Sequence, residues 1–269
     1  MKVIWVDTLG MGASSTMPYA ELVATLRAAG CVFAEDEARV LTEAARDDAS
    51  LAWMLARRVA GEPLELVVGF ADFCGLRIAV APGVFVPRQR SSALVRAAAA
   101  GLAAGDVVVD LCCGTGALGA ALAAGVPGLE VYAADVDPDA VACARRNLPP
   151  DRVFEGDLYE ALPGDLRGRV AALVVNAPYV PTDDIALMPP EARDHEHRVA
   201  LDGGADGLDV QRGVVAGAGA WLAPGGRLLI ESSRAQAPVT AALMAAAGLA
   251  TAITLDDEVD GTVVIGTRS

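Results

Sequence analysis

Long uncharged apolar stretches are missing from this chain of 269 residues. It is 54% apolar, yet no run reaches the ~18 residues that a membrane-spanning helix needs. The Ala-rich segments near 96–104 and 214–224 are broken by Gly or by charge, so no membrane association is expected. Residues 1–16 carry Asp7 within a short apolar part and lack a hydrophobic core of signal-peptide length. They read as a loose extension ahead of an ordered protein beginning near Met17, which predicts a cytoplasmic location. Cysteine is sparse and odd in number, five residues without Cys-x-x-Cys spacing, which argues against a disulfide framework and against a zinc site. Cys112 and Cys113 are adjacent and poorly placed to bond one another. Basic residues are outnumbered, 21 against 35 acidic, for a formal charge of −14. That charge repels a phosphate backbone, so stable nucleic-acid binding is not expected. The two histidines, His195 and His197, flank Glu196; no Cys or carboxylate pattern completes a metal shell, and the segment reads as a polar loop.

What is present changes character along the chain. Leu22, Val23 and Leu26, then Ala38, Leu41 and Ala45, then Leu51, Met54 and Leu55 recur at helical spacing, predicting two or three short amphipathic helices in a domain over 17–62. Residues 63–90 read as a β-hairpin linker, with strands at Leu66–Phe70 and Leu76–Ala81 around Phe73-Cys74-Gly75. Over 91–269, after a helix from Ser91 to about Ala103, strands and helices alternate. Expected strands are Val107–Cys112, Leu129–Ala134, Val153-Phe154, Val170–Val175, Gly226–Ile230, Leu249–Leu255 and Thr262–Gly266, with helices after Gly116 and at Pro138–Asn147, the latter capped by Asp137. This is the pattern of an α/β fold with a mostly parallel sheet, whose ligands bind beyond the carboxyl ends of the strands. Asp110, Asp135, Asp157 and Asn176 fall near those ends.

The loop Asp110-Leu-Cys112-Cys113-Gly114-Thr115-Gly116-Ala-Leu-Gly119 spells G-x-G-x-x-G after the first strand of this half, with Asp135 at the end of the next. A dinucleotide and S-adenosyl-L-methionine both need such glycines and such a ribose-binding acid. Three features favour the latter. Asp110 suits an ammonium group or its water network rather than a pyrophosphate; Asp157 can accept from an adenine amino group; and Asn176-Ala177-Pro178-Tyr179 ends the next predicted strand, beside the place of a methyl donor. An Asn carboxamide and a neighbouring carbonyl accept hydrogen bonds from a planar NH2 group, and Tyr179 offers a π face to developing positive charge.

Over residues 18–269 these motifs resemble the HemK-type protein-glutamine N5-methyltransferases. Glu62-Pro63 with Gly69-x-x-x-Phe73-x-Gly75-Leu76 resembles the family's linker, and Val86-Pro87-Arg88 its turn near the cofactor. Asn176-Ala-Pro-Tyr179 stands where the family has Asn-Pro-Pro-Tyr, and Ala200-Leu201-x-Gly203-Gly204-x-Asp206-Gly207-Leu208 is a long match. The resemblance implies a class I S-adenosylmethionine-dependent methyltransferase fold, Rossmann-like with a seven-stranded sheet, behind a small helical domain. It implies a protein substrate, a peptide chain release factor methylated on the glutamine of its Gly-Gly-Gln motif; a monomer is expected because the sequence shows no extended apolar surface. Implied catalytic residues are Asn176 and Tyr179; substrate is bound by Asn176, Ala177, Pro178 and Tyr179. The cofactor is held by Asp110, Cys112, Cys113, Gly114, Thr115, Gly116, Asp135, Asp157, Leu158 and Asn176. Cys112 replaces a loop glycine, Ala177 a proline, and Gln89-Arg90-Ser91-Ser92 a Pro-x-Thr-Glu segment. Arg88 is expected either at the donor carboxylate or in a surface salt bridge. Two other readings stay open: transfer to another NH2 acceptor (DNA adenine, lysine or a small-molecule amine), or donor binding without catalysis.

Overall fold

The computed structural model describes residues 17–269; the expected loose extension over 1–16 lies outside them. The chain divides into two compact units, the first ending at Val68 and the second running from Gly69 to Ser269. In the first, α1 (Tyr19–Ala28), α2 (Ala34–Ala44) and α3 (Asp48–Val59) bury Leu22, Leu26, Ala38, Leu41, Met54 and Leu55 against one another. Short helices gain most of their stability from such shared faces. A capping box on Asp47 and Ser50 starts α3. Trp53 is 58% exposed beneath the guanidinium of Arg57.

The strand expected at Leu66–Phe70 is instead a helix, α4 (Leu64–Val68). Its turn is closed by Val67 N–H donating to Pro63 O at 3.1 Å, and Gly69 ends it at φ +84°. The hairpin follows Gly69 directly, with β1 (Phe70–Phe73) antiparallel to β2 (Leu76–Ala79). An apolar run this short has no period to separate strand from helix.

In the second unit α5 (Ser92–Ala99) precedes β3 (Val107–Leu111), α6 (Ala117–Gly125), β4 (Glu130–Asp135), α7 (Pro138–Ala144), β5 (Val153–Glu155) and β6 (Val170–Val175). After a short turn, α8 (Pro190–Arg193), come α9 (Asp209–Trp221), β7 (Leu222–Glu231), α10 (Ala237–Ala246), β8 (Ala250–Asp256) and β9 (Gly261–Thr267). Seven strands form one sheet in the order β5-β4-β3-β6-β7-β9-β8. Only β9 runs against its neighbours β7 and β8. The fold expected from the sequence, a mostly parallel seven-stranded sheet, is the one observed. The central strands are continuous apolar runs because helices cover both faces: Val108, Ala172, Val174 and Leu229 pack on one side, and Val109, Leu173, Leu228 and Trp221 on the other. Strand order reverses between β3 and β6, and a crevice opens beyond their carboxyl ends. Among the described residues no helix is long and apolar enough to cross a membrane.

Candidate active site

Beyond β3 the chain turns sharply through Cys112, whose φ of +57° is the left-handed conformation that a side chain resists. A glycine would reach it without strain. Gly114 and Gly116 follow at φ +54° and +74°, and a Cβ on Gly116 would lie 2.9 Å from Leu148 Cδ1. Gly116 is thus fixed by the packing of α6 against α7. Cys113 is buried, and desolvation pushes both thiols well above their ordinary range, which keeps them protonated and poorly reactive.

Two carboxylates organise this turn. Asp135, half-buried at the end of β4, accepts Gly114 N–H at 2.8 Å on one oxygen and Asp137 N–H at 2.9 Å on the other. Desolvation raises its pKa against those bonds. Asp110 is fully buried, accepts Gly119 N–H at 2.9 Å through Oδ2, and has no partner at Oδ1. Desolvation, with Asp135 adding like charge, pushes its pKa up to about 8. Asp110 and Gly116 do not line the cavity beside them; they support the loop from beneath.

That cavity, about 400 Å³, runs from Asp135 and Asp157 past Leu158 to Asn176 and Tyr179. Its walls carry the carboxylates Asp135, Asp137 and Asp157 against a single guanidinium, that of Arg90. Such walls fit a ligand with an ammonium group, a sulfonium and ribose hydroxyls, and would repel a pyrophosphate. Cys112, Cys113, Gly114 and Thr115 line the same space. S-adenosyl-L-methionine therefore fits these walls.

At the other end, Asn176, Ala177, Pro178 and Tyr179 follow β6 and all border the cavity. Asn176 Nδ2 lies 3.3 Å from Ser91 Oγ, which it meets as a donor. Burial, together with the carboxylate of Glu231, pushes Tyr179 up to about 12, and Arg90 lies 5.8 Å from the centre of its ring. The backbone of this turn is held by the segment that matched at length in the sequence. Val180 N–H donates to Leu201 O and Gly203 N–H to Val180 O; Gln236 Nε2 bridges the carbonyls of Tyr179 and Asp206 at 3.0 and 3.1 Å. A Cβ on Gly203 would lie 2.7 Å from Gly207 Cα, and one on Gly207 2.3 Å from Tyr179 O. The paired glycines are there so that this segment can lie directly against the tetrapeptide. Sequence reading missed Ser91, Glu231 and Gln236; each comes from a distant part of the chain and carries no local motif.

Arg88 forms a salt bridge to Glu196 at 2.5 Å, and Glu196 also accepts Val86 N–H. Glu196 is buried, so the expected polar loop at His195–His197 is in part an anchor. His197 meets Asp137 at 2.7 Å. Ligand-type atoms of Asp137, Asp139 and His197 lie within 4.8 Å of one another, where the sequence suggested no such grouping.

Residues 75–187 match the family model described as Methyltransferase small domain. A release factor glutamine methyltransferase of Geobacter sulfurreducens is 36% identical over 80% of this chain and 76% of its own length. One from Streptomyces coelicolor is 43% identical over 68% and 67%. A 4-amino-L-phenylalanine/4-methylamino-L-phenylalanine methyltransferase of Streptomyces pristinaespiralis is 38% identical over 71% and 68%. A solved methyltransferase from Pyrococcus furiosus shares the fold at a TM-score of 0.54 and 18% identity, over 72% of this chain and 90% of that one.

Proposed function

Since this chain belongs to the release factor glutamine methyltransferase family, we propose that it methylates the side-chain amide nitrogen of a glutamine in a peptide release factor. It is an S-adenosyl-L-methionine-dependent methyltransferase. The observation that carries the proposal is the sharing of one cavity by the acid-walled donor end and the Asn176–Tyr179 turn.

S-adenosyl-L-methionine, when bound, would supply an electrophilic methyl group on a sulfonium whose departure leaves a neutral thioether, and the methylated nitrogen would give its surplus proton to water. The chain supplies position and charge. Asp135, with lone pairs left, would hold the ribose hydroxyls, Asp157 and Leu158 would flank the base, and the loop Cys112–Thr115 would hold the amino-acid end. Amide nitrogen is a poor nucleophile because its lone pair is shared with the carbonyl. Accepting its two N–H bonds on Asn176 Oδ1 and the Ala177 carbonyl holds the nitrogen still and turns the lone pair outward, while Tyr179 and Pro178 wall the acceptor. Tyr179, with its pKa held high, remains a neutral π face across the working pH range.

A second reading, a small-molecule aryl- or alkylamine acceptor, is favoured by the similarity to the aminophenylalanine enzyme. Incubating the protein with methyl-labelled donor and candidate release factors decides between them. Label on the release factor, lost when the motif glutamine is replaced by alanine, supports the first reading. Label on 4-aminophenylalanine and none on release factors supports the second. No label on either class refutes both.

A further inference from the structure

Glu231 ends β7 with its side chain only 3% exposed, outside the cavity but beside its acceptor end. Its Oε1 accepts Arg90 Nε–H at 3.2 Å, and Oε2 is buried without a hydrogen-bond partner. The hydroxyls of Ser91 and Tyr179 come close enough to the same carboxylate to favour its charged form, against a larger opposing effect of burial. Ser91 is 2% exposed, borders the cavity, and stands 3.3 Å from Asn176 Nδ2. Glu231, Ser91 and Asn176 therefore stand in succession between a buried anion and the cavity wall.

A carboxamide can face the acceptor in two ways, and only one serves an amine: Oδ1 must point to the N–H bonds to be gripped. Serine does not settle this alone, because its hydroxyl both donates and accepts. An ionised carboxylate only accepts, which sets a direction. We infer that Glu231 acts through Ser91 to fix the carboxamide of Asn176. The Ser91 proton goes to Glu231, the Ser91 oxygen accepts from Asn176 Nδ2–H, and Asn176 Oδ1 is left facing the acceptor. Hydrogen bonds aligned this way polarise one another, so Oδ1 also becomes a better acceptor. With the opposite orientation, the carboxamide would meet the acceptor NH2 donor to donor. Tyr179 shares the same carboxylate, so the aromatic wall and the gripping amide are registered to one anchor. Ser91 and Glu231 are thus positioning residues; the inference rests on the proposed role of Asn176 as the acceptor grip.

The test uses the full chain. The Asn176 side-chain amide resonances, identified by their loss in Asn176→Ala, are recorded in 15N-labelled wild type and in Ser91→Ala, Ser91→Thr and Glu231→Gln. Turnover and donor affinity are measured on the same preparations. Ser91→Ala and Glu231→Gln should move the Asn176 resonances and lower kcat by about tenfold or more, the cost of one well-placed bond in the transition state. Donor Kd should stay within about twofold, since the bonds at stake lie at the acceptor end and a retained Kd reports an intact fold. Ser91→Thr, which keeps the hydroxyl, should restore both readouts. Resonances unmoved in Ser91→Ala, or Ser91→Thr as impaired as Ser91→Ala, would overturn the inference. If wild type methylates no acceptor, the functional proposal fails, while the amide resonances still decide this one.

Discussion

Replacing Asp110 by asparagine isolates the cost of burying a carboxylate under the donor loop. Asp110 is fully buried, holds one hydrogen bond, to Gly119 N–H, and has an orphaned second oxygen. Its pKa rises from an ordinary 3.8 to about 8, first through desolvation and then through the like charge of Asp135. The folded state therefore holds this proton more tightly than the unfolded state. The stability it confers is complete below pH ~4, declines as pH rises through the window up to about 8, and is flat above. At ~1.4 kcal/mol per unit the ceiling is about 6 kcal/mol, and water penetration brings the expected loss to roughly 2–4 kcal/mol. Asparagine keeps the shape and the acceptor for Gly119 and never ionises. Denaturant unfolding of both proteins at pH 5 and pH 8.5 cancels every other titrating group. At pH 5, about one unit above the ordinary value, Asp110→Asn should lead by only about a quarter of that margin; at pH 8.5 it should lead by all of it. Parallel losses in the two proteins would show that burial does not hold this proton, and the reasoning would fail.

Three further outcomes follow from the geometry. Asn176→Ala should lower turnover by roughly 10²-fold or more, as when a charge-stabilising group is removed, with calorimetric donor affinity nearly unchanged; full activity would remove Asn176 from the mechanism. Gly207→Ala places a Cβ 2.3 Å from Tyr179 O at φ +77°; thermal unfolding should report a loss of about 1–3 kcal/mol, and turnover should drop more than donor binding. Asp135→Ala removes the acceptor of Gly114 N–H and Asp137 N–H and should weaken donor binding at least tenfold, a loss of about 1.4 kcal/mol read by equilibrium titration. Binding at wild-type strength would displace Asp135 from the donor site.

The parts of this protein legible in sequence are those written locally. Val170–Val175 could be placed as a buried strand because six consecutive apolar residues need cover on both faces, and Asn176–Tyr179 followed as its exit turn. Asp137 could be read as a cap because its chemistry acts two residues away, on Asp139 N–H. The strand expected at Leu66–Phe70 fails because five residues are too few for a helical period, and Pro63 starts a helix as readily as it ends one. The support of the tetrapeptide was illegible for a different reason. Ser91 reaches Asn176 across 85 positions, and Gln236 reaches Tyr179 across 57. A serine in a helix start and a glutamine just ahead of a helix each have ordinary local uses, and only the closed sheet brings them together.

The segment leaving Tyr179 is fastened twice. Val180 pairs with Asp202 at its root, and Glu196 pairs with Gly83 further out. Residues 181–195 accordingly make a hoop closed at both feet, with Met188 reaching the mouth of the cavity. Near its first foot the hoop is tied to the segment beneath, Thr182 N–H donating to Gly204 O and Thr182 Oγ1 to Asp202 Oδ1, so change is tolerated best in its outer part. On the proposed function, the acceptor must pass this hoop to reach Asn176–Tyr179, so the size of acceptor admitted is set by the hoop and the chemistry by the turn beneath it.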